Sequence, residues 1–373
     1  MSSPLQDPVP LSDVRRALVT KLRHHGDVLL AAPVFGTLKR AAPHVEIDAL
    51  VYRETLPMLA GHPAIANLHA IDRDWKRRGL RVQASAEWAL LRALRSRRFD
   101  LFIHLTEHPR GLMLARLLRP RYAVTRERPA GMGARSWRRH FTHFYRLPRA
   151  TPRHAVEQNL DALRRIGVYP SEDDKRVVLV PGAAAEARID ALLARHRLVP
   201  RTFIQLHPGS RWLFKCWPAA STAALMDRML ADGHAIVVTG APDARERTLV
   251  DAILAQVTQR IEGRVVDLTG QLELAELAAL TACARGFVGV DSAPMHIAAA
   301  MGTPTVALFG PSGEHEWGPW RVTQRVVVST AHPCRPCGID GCGGGKVSEC
   351  LTTLPVARVH AAVRELCGVV KHA

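Results

Sequence analysis

Short apolar runs alternate with amphipathic segments along most of the chain, and this alternation constrains the fold more than any other feature. Residues 16–22 form an apolar run that predicts a strand, Gly26 marks a turn, and residues 28–39 have the apolar spacing of a helix. The second half repeats this order, with a predicted strand at 203–207 and a predicted helix at 218–231. Such units open Rossmann-like domains. The sequence therefore predicts an α/β protein with parallel sheets.

Further segments continue the pattern in both halves. The additional predicted strands are residues 45–52, 100–105, 235–239, 286–290 and 304–309, and the additional predicted helices are residues 84–97, 154–167, 274–284 and 295–301. A chain of 373 residues exceeds the usual size of one hydrophobic core, so two doubly wound domains are expected.

The predicted domain organisation follows from these segments. We predict a flexible N-terminus at residues 1–15, a first Rossmann-like domain at 16–175, a connection at 176–200 and a second Rossmann-like domain at 201–373. The last helix is free in this scheme to pack back on the first domain. Two such domains are expected to face a central cleft, because ligands bind at the carboxyl ends of parallel strands.

Basic charge is confined to the N-terminal half. Residues 1–170 contain 30 Lys and Arg against 14 Asp and Glu, a net charge of +16, whereas the remainder contains 21 against 20, a net charge of +1. Residues 110–149 alone contain 11 arginines and one acid, Glu127. This stretch predicts a surface for a phosphate-rich partner or an anionic membrane, although a solvated arginine-rich face would have the same composition.

The start of the chain has neither the basic region nor the apolar region of a signal peptide, and no stretch approaches the roughly 20 apolar residues of a spanning helix. The sequence therefore predicts a cytoplasmic protein that is not integral to a membrane.

Asp27 comes directly after the first predicted turn. A carboxylate at this position could accept the proton of a hydroxyl group that attacks an anomeric carbon. Aspartate is also a favourable helix N-cap. Position alone favours neither interpretation.

The second half contains two candidate phosphate contacts. Residues 292–295 start a predicted helix whose N–H groups could bind a phosphate, and His296 either orients that turn or is a buried structural histidine. Lys215 could neutralise a leaving diphosphate, or could lie on the surface with its stem against a tryptophan. Neither first turn carries G-x-G-x-x-G, which argues against a nicotinamide-dependent oxidoreductase.

Four cysteines cluster near the C-terminus, at Cys334, Cys337, Cys342 and Cys350, among several glycines. The spacing of the first pair is typical of zinc sites, but the later gaps are not. A structural zinc site and a glycine-rich loop of free thiols both remain open, and the second is slightly favoured.

The segment Lys21-Leu-Arg-His-His-Gly-Asp resembles the opening motif of the ADP-heptose:lipopolysaccharide heptosyltransferase family. The resemblance implies a GT-B type glycosyltransferase with two Rossmann-like domains and with Asp27 as the catalytic base. The acceptor is then expected on the basic first domain, near residues of the motif and of the arginine-rich stretch: His24, His25, Arg135, Arg138 and Arg139.

The segment His207-Pro-Gly-Ser-Arg-Trp-Leu-Phe-Lys-Cys-Trp-Pro is similar to the family's donor-phosphate motif, which implies diphosphate contacts by Ser210 and Lys215. Glu246 matches a segment that contacts the nucleoside, with Asp243 as the competing candidate. The family also binds the donor through a turn that corresponds here to Asp291, Ser292, Ala293, Pro294, Met295 and His296.

The resemblance is strongest to the branch called heptosyltransferase III, because of the double histidine and the cysteine-rich segment. It implies inverting transfer of heptose from ADP-heptose to the inner core of lipopolysaccharide, with no cofactor or catalytic metal. The enzyme is then expected as a peripheral protein on the cytoplasmic face of the inner membrane. The alternatives are another heptosyltransferase of the family or a transferase that uses a different nucleotide sugar, and a nucleic-acid-binding protein is a remote alternative. Nucleic acid is not an expected partner, since the aromatic content is 5% and no recognition module is evident.

Overall fold

The structure is a computed structural model that describes residues 8–127, 134–147, 152–259 and 263–370. It divides into two compact units, Met1–Leu179 and Val180–Ala373. Each unit contains a parallel sheet covered by helices, which is the predicted α/β architecture.

The first unit contains, within its described residues, six parallel strands in the order β3-β2-β1-β4-β5-β6. Its elements are β1 (Arg16–Thr20), α1 (His25–Leu29), α2 (Ala32–Ala41), β2 (Glu46–Tyr52), β3 (Asn67–Ile71), α3 (Leu80–Ser96), β4 (Leu101–His104), α4 (Pro109–Leu118), β5 (Tyr122–Arg126), α5 (Ala134–His140), β6 (His143–Tyr145) and α6 (Ala155–Arg164). Three-residue to six-residue 3-10 helices lie at Leu11–Asp13, Arg53–Met58, Arg73–Arg78 and Asp173–Lys175.

The centre of this sheet is apolar on both faces, as expected for parallel strands between helices. Val19 of β1 lies opposite Ala49 of β2 and Ile103 of β4, and all three are fully buried. Burial of such side chains stabilises a domain by roughly 1.5–3 kcal/mol each.

The helix predicted at residues 28–39 is two helices. α1 ends at Leu29 and α2 begins at Ala32, with Pro33 in its first turn. Proline is tolerated in the first turn of a helix, but in a helix interior it lacks the required N–H group and its ring clashes with the carbonyl four residues earlier. Pro33 therefore separates the segment that carries Asp27 from α2.

The predicted flexible N-terminus is wrong for the residues that the structure describes. Val9 is buried and its N–H donates to the carbonyl of Ile166, and Val14 is fully buried just before β1. These apolar side chains hold residues 8–15 against the first unit. Residues 1–7 lie outside the described residues.

The second unit contains, in the part that the structure describes, six parallel strands in the order β12-β11-β10-β7-β8-β9. Its elements are α7 (Ala183–Arg195), β7 (Phe203–His207), α8 (Ala219–Ala231), β8 (Ala235–Val238), α9 (Ala244–Leu254), β9 (Val265–Asp267), α10 (Leu274–Cys283), β10 (Gly286–Val290), α11 (Ala293–Ala300), β11 (Thr305–Phe309), α12 (Glu314–Trp317), β12 (Gln324–Val328), α13 (Glu349–Thr352) and α14 (Val356–Cys367). Short 3-10 helices lie at Leu213–Lys215 and Cys342–Gly344.

Most of the predicted connection at residues 176–200 belongs to the second unit. α7 buries Ile189 and Leu193 in one apolar cluster with Phe203 of β7 and Leu280 of α10. α7 lies within the residues predicted as the connection. Its amphipathic face instead covers one side of the second sheet.

The last helix packs on the sheet of its own unit. Val359 and Val363 of α14 are fully buried in the apolar cluster that contains Val288 of β10 and Val306 of β11. The sequence left open that the last helix packs on the first domain. The apolar face of α14 is instead covered by the second sheet. Among the described residues, no helix combines the length and the apolar character that crossing a bilayer requires.

Candidate functional site

The two sheets reverse their strand order at corresponding places. β1 lies between β2 and β4 in the first sheet, and β7 lies between β8 and β10 in the second. Helical connections leave such a central strand toward opposite faces of the sheet, so a crevice opens at its carboxyl end. The predicted site residues Asp27, Ser210 and Asp291 follow β1, β7 and β10.

Asp27 is the third residue of the short helix α1. Its N-cap is His24, so the interpretation of Asp27 as an N-cap is wrong. The side chain is 15% exposed, and the Nε atom of Arg23 lies 3.7 Å from its Oδ1 atom. Arg23 and Asp27 therefore form an i, i+4 ion pair at the start of the helix. A partly accessible carboxylate is a group that can act as a general base.

Lys21 was not assigned a role by the sequence analysis, although it stands in the motif that carries Asp27. Its ammonium donates to Oδ1 of Asn159 at 2.9 Å and to the carbonyl of Leu105 at 3.3 Å. Burial lowers the pKa of Lys21 to about 8, and the charge of Asp27 opposes this shift. The motif therefore places a partly buried cation as well as a carboxylate at the end of β1.

The predicted acceptor residues lie in two separate places. His24 and His25 start α1, and the Nε2 atom of His25 is 2.8 Å from the carbonyl oxygen of Glu54. Arg135, Arg138 and Arg139 are exposed on α5, which precedes the edge strand β6. Since β4 and β5 separate β6 from β1, the structure does not bring the three arginines to the histidines.

Ser210 and Glu246 line one cavity of about 370 Å³ at the carboxyl ends of β7 and β8. Arg211, Asp243 and Arg245 also line it. Glu246 is buried, accepts a hydrogen bond of 2.8 Å from the N–H of Ala241, and has a pKa raised by burial. Asp243, the competing candidate, is the N-cap of α9 and is bound by Arg245.

Gly209 allows the chain to pass directly over Glu246. A Cβ atom at residue 209 would lie 2.4 Å from Oε2 of Glu246, far inside contact distance. Beneath this turn, His207 is buried with Nδ1 3.0 Å from the hydroxyl of Thr239, and burial lowers its pKa to about 4. A neutral histidine and a close backbone thus lie against Glu246, which lines the cavity.

Lys215 and Asp291 form an ion pair across the ends of β7 and β10. The Nζ atom of Lys215 lies 2.6 Å from Oδ2 of Asp291, and Asp291 is largely buried. The alternative of Lys215 as a surface cation is therefore wrong. A partly buried ammonium at this place is available to a phosphate oxygen that competes with Asp291.

The turn at residues 291–296 differs in detail from the prediction. Ser292 is the N-cap of α11, and its hydroxyl donates to the carbonyl of Val290. Ala293 is the first helical residue, and Pro294 has no N–H group to offer. The N–H of Met295 donates to the carbonyl of Ser292. The amides of residues 292–295 therefore cannot all bind a phosphate, and Met295 and His296 are buried in the helix.

Comparison with known proteins gives the family. Residues 87–347 match the family described as Glycosyltransferase family 9 (heptosyltransferase). The chain belongs to this family. The lipopolysaccharide heptosyltransferase 3 of Escherichia coli is 34% identical over 303 residues, which cover 80% of this chain and 84% of that protein.

Two solved structures show the same fold as this family 9 member. The glycosyl transferase family 9 protein of Veillonella parvula has a TM-score of 0.79 and 24% identity, over 97% of this chain and 99% of the other. The Escherichia coli ADP-heptose lps heptosyltransferase II has a TM-score of 0.73 and 19% identity, over 94% and 98%. The GT-B type fold and the glycosyltransferase class predicted from the sequence are confirmed.

The four clustered cysteines of this family 9 protein differ in exposure. Cys334, Cys337 and Cys342 are exposed, whereas Cys350 is buried and burial raises its pKa. All four are free thiols in this structure. Among the described residues, which include these four, no group of three or more His, Cys, Asp or Glu side chains is placed to hold a metal ion.

Proposed function

We propose that this family 9 glycosyltransferase transfers heptose from ADP-heptose to the inner core of lipopolysaccharide, as a heptosyltransferase of type III. The 34% identity to the lipopolysaccharide heptosyltransferase 3 of Escherichia coli supports the acceptor class. The solved relative named for ADP-heptose supports the donor. Another nucleotide sugar is the alternative that the experiment below has to exclude.

The observation that carries this proposal is the group of charged side chains at the carboxyl ends of β7, β8 and β10. The ammonium of Lys215, paired with Asp291, can bind the diphosphate, and Ser210 and Glu246 line the same cavity. The buried carboxylate of Glu246 can accept hydrogen bonds from ribose hydroxyls. The arrangement offers a cation for the diphosphate and a buried acceptor for the nucleoside.

The proposed reaction is a single displacement with inversion at the anomeric carbon. The acceptor oxygen forms a bond to that carbon while the bond to the diphosphate oxygen breaks, and ADP leaves with the electron pair. Asp27 accepts the proton of the acceptor hydroxyl. Lys215 stabilises the charge that develops on the leaving diphosphate, so the proposed transfer needs no divalent metal ion.

We also propose that the enzyme works as a peripheral protein on the cytoplasmic face of the inner membrane. The net charge of +16 on residues 1–170 supports this location, because anionic lipid attracts basic surfaces. The acceptor is expected on this basic unit, with His24 and His25 near Asp27 and with Arg135, Arg138 and Arg139 as more distant phosphate contacts.

The test is ADP release by the purified protein from ADP-heptose, with and without truncated inner-core lipopolysaccharide, and with EDTA in both reactions. Acceptor-dependent ADP release that survives EDTA is the expected result. Parallel reactions with UDP-glucose and GDP-mannose check the donor. Release of UDP or GDP at the same rate as ADP would contradict specificity for ADP-heptose. Loss of ADP release in EDTA would contradict metal independence.

Replacing Gly209 by alanine should weaken donor binding. The added Cβ atom displaces Glu246 from its position under the turn, and displacements of about 1 Å at such sites cost up to 100-fold in activity. We expect KM for ADP-heptose to rise by roughly 10-fold or more, measured by initial rates of ADP release. Gly36→Ala is the matched control, since nothing lies within 4 Å of its added Cβ atom. An unchanged KM in Gly209→Ala would show that Glu246 does not contact the donor.

A further inference from the structure

The helix α3 of the first unit is almost entirely at the surface. All its residues are described, and among its 17 residues only Leu94 is buried. Leu80 is 85% exposed and Trp88 is 64% exposed, and Met113 of the neighbouring helix α4 is 43% exposed. Large apolar side chains exposed together on one face mark an interaction surface.

An open apolar groove runs between α3 and α4. It has a volume of about 620 Å³ and is lined chiefly by Trp88, Leu91, Leu94, Met113, Leu114 and Leu117. Glu87, the single acidic residue of α3, is bound by both terminal nitrogens of Arg110 at 2.7 Å. The groove therefore presents no uncompensated negative charge from α3.

Basic side chains surround the exposed tryptophan. Residues 73–98 contain nine Lys or Arg and two Asp or Glu, which is a net charge of +7. Arg81, Arg92 and Arg95 stand seven before, four after and seven after Trp88, so helical spacing places them on the same face as its ring. The exposed basic residues of this segment are Arg73, Lys76, Arg77, Arg78, Arg81, Arg92, Arg95 and Arg98.

We propose that the face formed by α3 and α4, with Trp88 at its centre, docks onto the surface of an anionic phospholipid bilayer. Exposed apolar side chains enter the region between headgroups and acyl chains, and arginines beside them contact the lipid phosphates. Tryptophan is favoured at this depth, because its ring is apolar and its indole N–H is polar.

Charge complementarity selects this occupant over a second copy of the chain. A symmetric dimer through the same face would set two segments of charge +7 against each other, and like charges across an interface are unfavourable. The inference rests on the proposed function in one respect, because that function places the enzyme at a membrane. The docking face is also distinct from α5, which carries the predicted acceptor contacts Arg135, Arg138 and Arg139.

The experiment measures sedimentation of the full-length protein with vesicles of phosphatidylcholine containing 30% phosphatidylglycerol, and with vesicles of phosphatidylcholine alone. Neither contains lipopolysaccharide, so acceptor binding cannot contribute. The expected partition coefficient is at least about 10-fold higher on the anionic vesicles and falls at high salt. Trp88→Ser and Arg92→Glu/Arg95→Glu should each lower it by about 10-fold or more.

Matched controls separate docking from general effects. Tyr169→Ser changes an aromatic side chain of the same unit that is 74% exposed, and Arg195→Glu/Arg228→Glu reverses two exposed charges of the second unit. Both controls should bind as the wild type does. Leu80→Asp is a second variant that removes an apolar side chain from the docking face, for use if Trp88→Ser does not fold. Leu80 is 85% exposed, so its replacement should not disturb the fold.

Turnover of a detergent-free, soluble core oligosaccharide distinguishes this inference from the proposed function. The docking variants should retain that turnover while losing vesicle binding. Unchanged vesicle binding in both Trp88→Ser and Arg92→Glu/Arg95→Glu would overturn the docking face, whatever the activity. Loss of a dimer in sedimentation velocity with vesicle binding intact would assign the face to a second copy instead. Loss of binding in Arg135→Glu/Arg138→Glu alone would assign docking to α5.

Discussion

Replacing Asp27 by asparagine is expected to lower kcat for heptose transfer by roughly 10²–10⁴-fold, because general-base catalysis contributes about that much to such reactions. The amide has nearly the same shape as the carboxylate but cannot accept the acceptor's proton at neutral pH. The side chain is 15% exposed at the start of α1, so the fold should tolerate the change. Initial rates of acceptor-dependent ADP release measure the effect.

Two further variants control for this result. Asp27→Glu keeps the charge but moves the carboxylate, and should retain more activity than Asp27→Asn. Arg23→Gln removes the guanidinium 3.7 Å from Asp27 and should change kcat much less. Near-normal kcat in a well-folded Asp27→Asn protein would exclude Asp27 as the base, since no other change in the active site accompanies that substitution.

Replacing Lys215 by methionine is expected to lower kcat/KM for ADP-heptose by roughly 10²–10³-fold, the usual cost of removing one preorganised group that stabilises transition-state charge. Methionine fills similar space but leaves Asp291 without its cation, so the diphosphate meets a negative charge in place of a positive one. Both the initial rate of ADP release and the affinity for ADP by calorimetry should decrease.

The partner of the ion pair supplies the control for Lys215. Asp291→Asn removes the charge that competes for Lys215, and the double variant Lys215→Met/Asp291→Asn removes both charges. If repulsion by Asp291 contributes to the loss in Lys215→Met, the double variant should bind ADP more tightly than Lys215→Met does. Wild-type ADP affinity in Lys215→Met would show that this lysine does not meet the diphosphate.

The central part of each sheet could be predicted because those strands are continuous apolar runs. All five residues of β7, β10 and β11 are buried, and the same pattern is visible in the letters of the sequence. The edge strands were not predicted, since β3 mixes polar and apolar residues and is only partly buried, and β9 has three residues. β5 was not predicted either. Tyr122–Arg126 lies within the arginine-rich stretch, whose charge obscures the apolar pattern of a strand.

The site could be predicted where its residues follow a central strand. Ser210 and Asp291 follow β7 and β10, which are paired in the sheet, so the rule for parallel strands brings them to one edge. The hydrogen bond that holds Lys21 could not be predicted, because its partner Asn159 is 138 residues away in the chain. Nor could the ion pair of Lys215, whose partner is 76 residues away.

The place of α7 has a practical consequence for isolating the two halves of the protein. A recombinant fragment that starts at Arg201, as the sequence boundaries suggest, would lack the helix that covers Phe203 and Leu280. Its exposed apolar surface would favour aggregation during expression. A fragment that contains the second unit therefore has to begin at Val180, where that unit starts. The complementary fragment ends at Leu179 and retains Asp174, which binds Arg40 of α2.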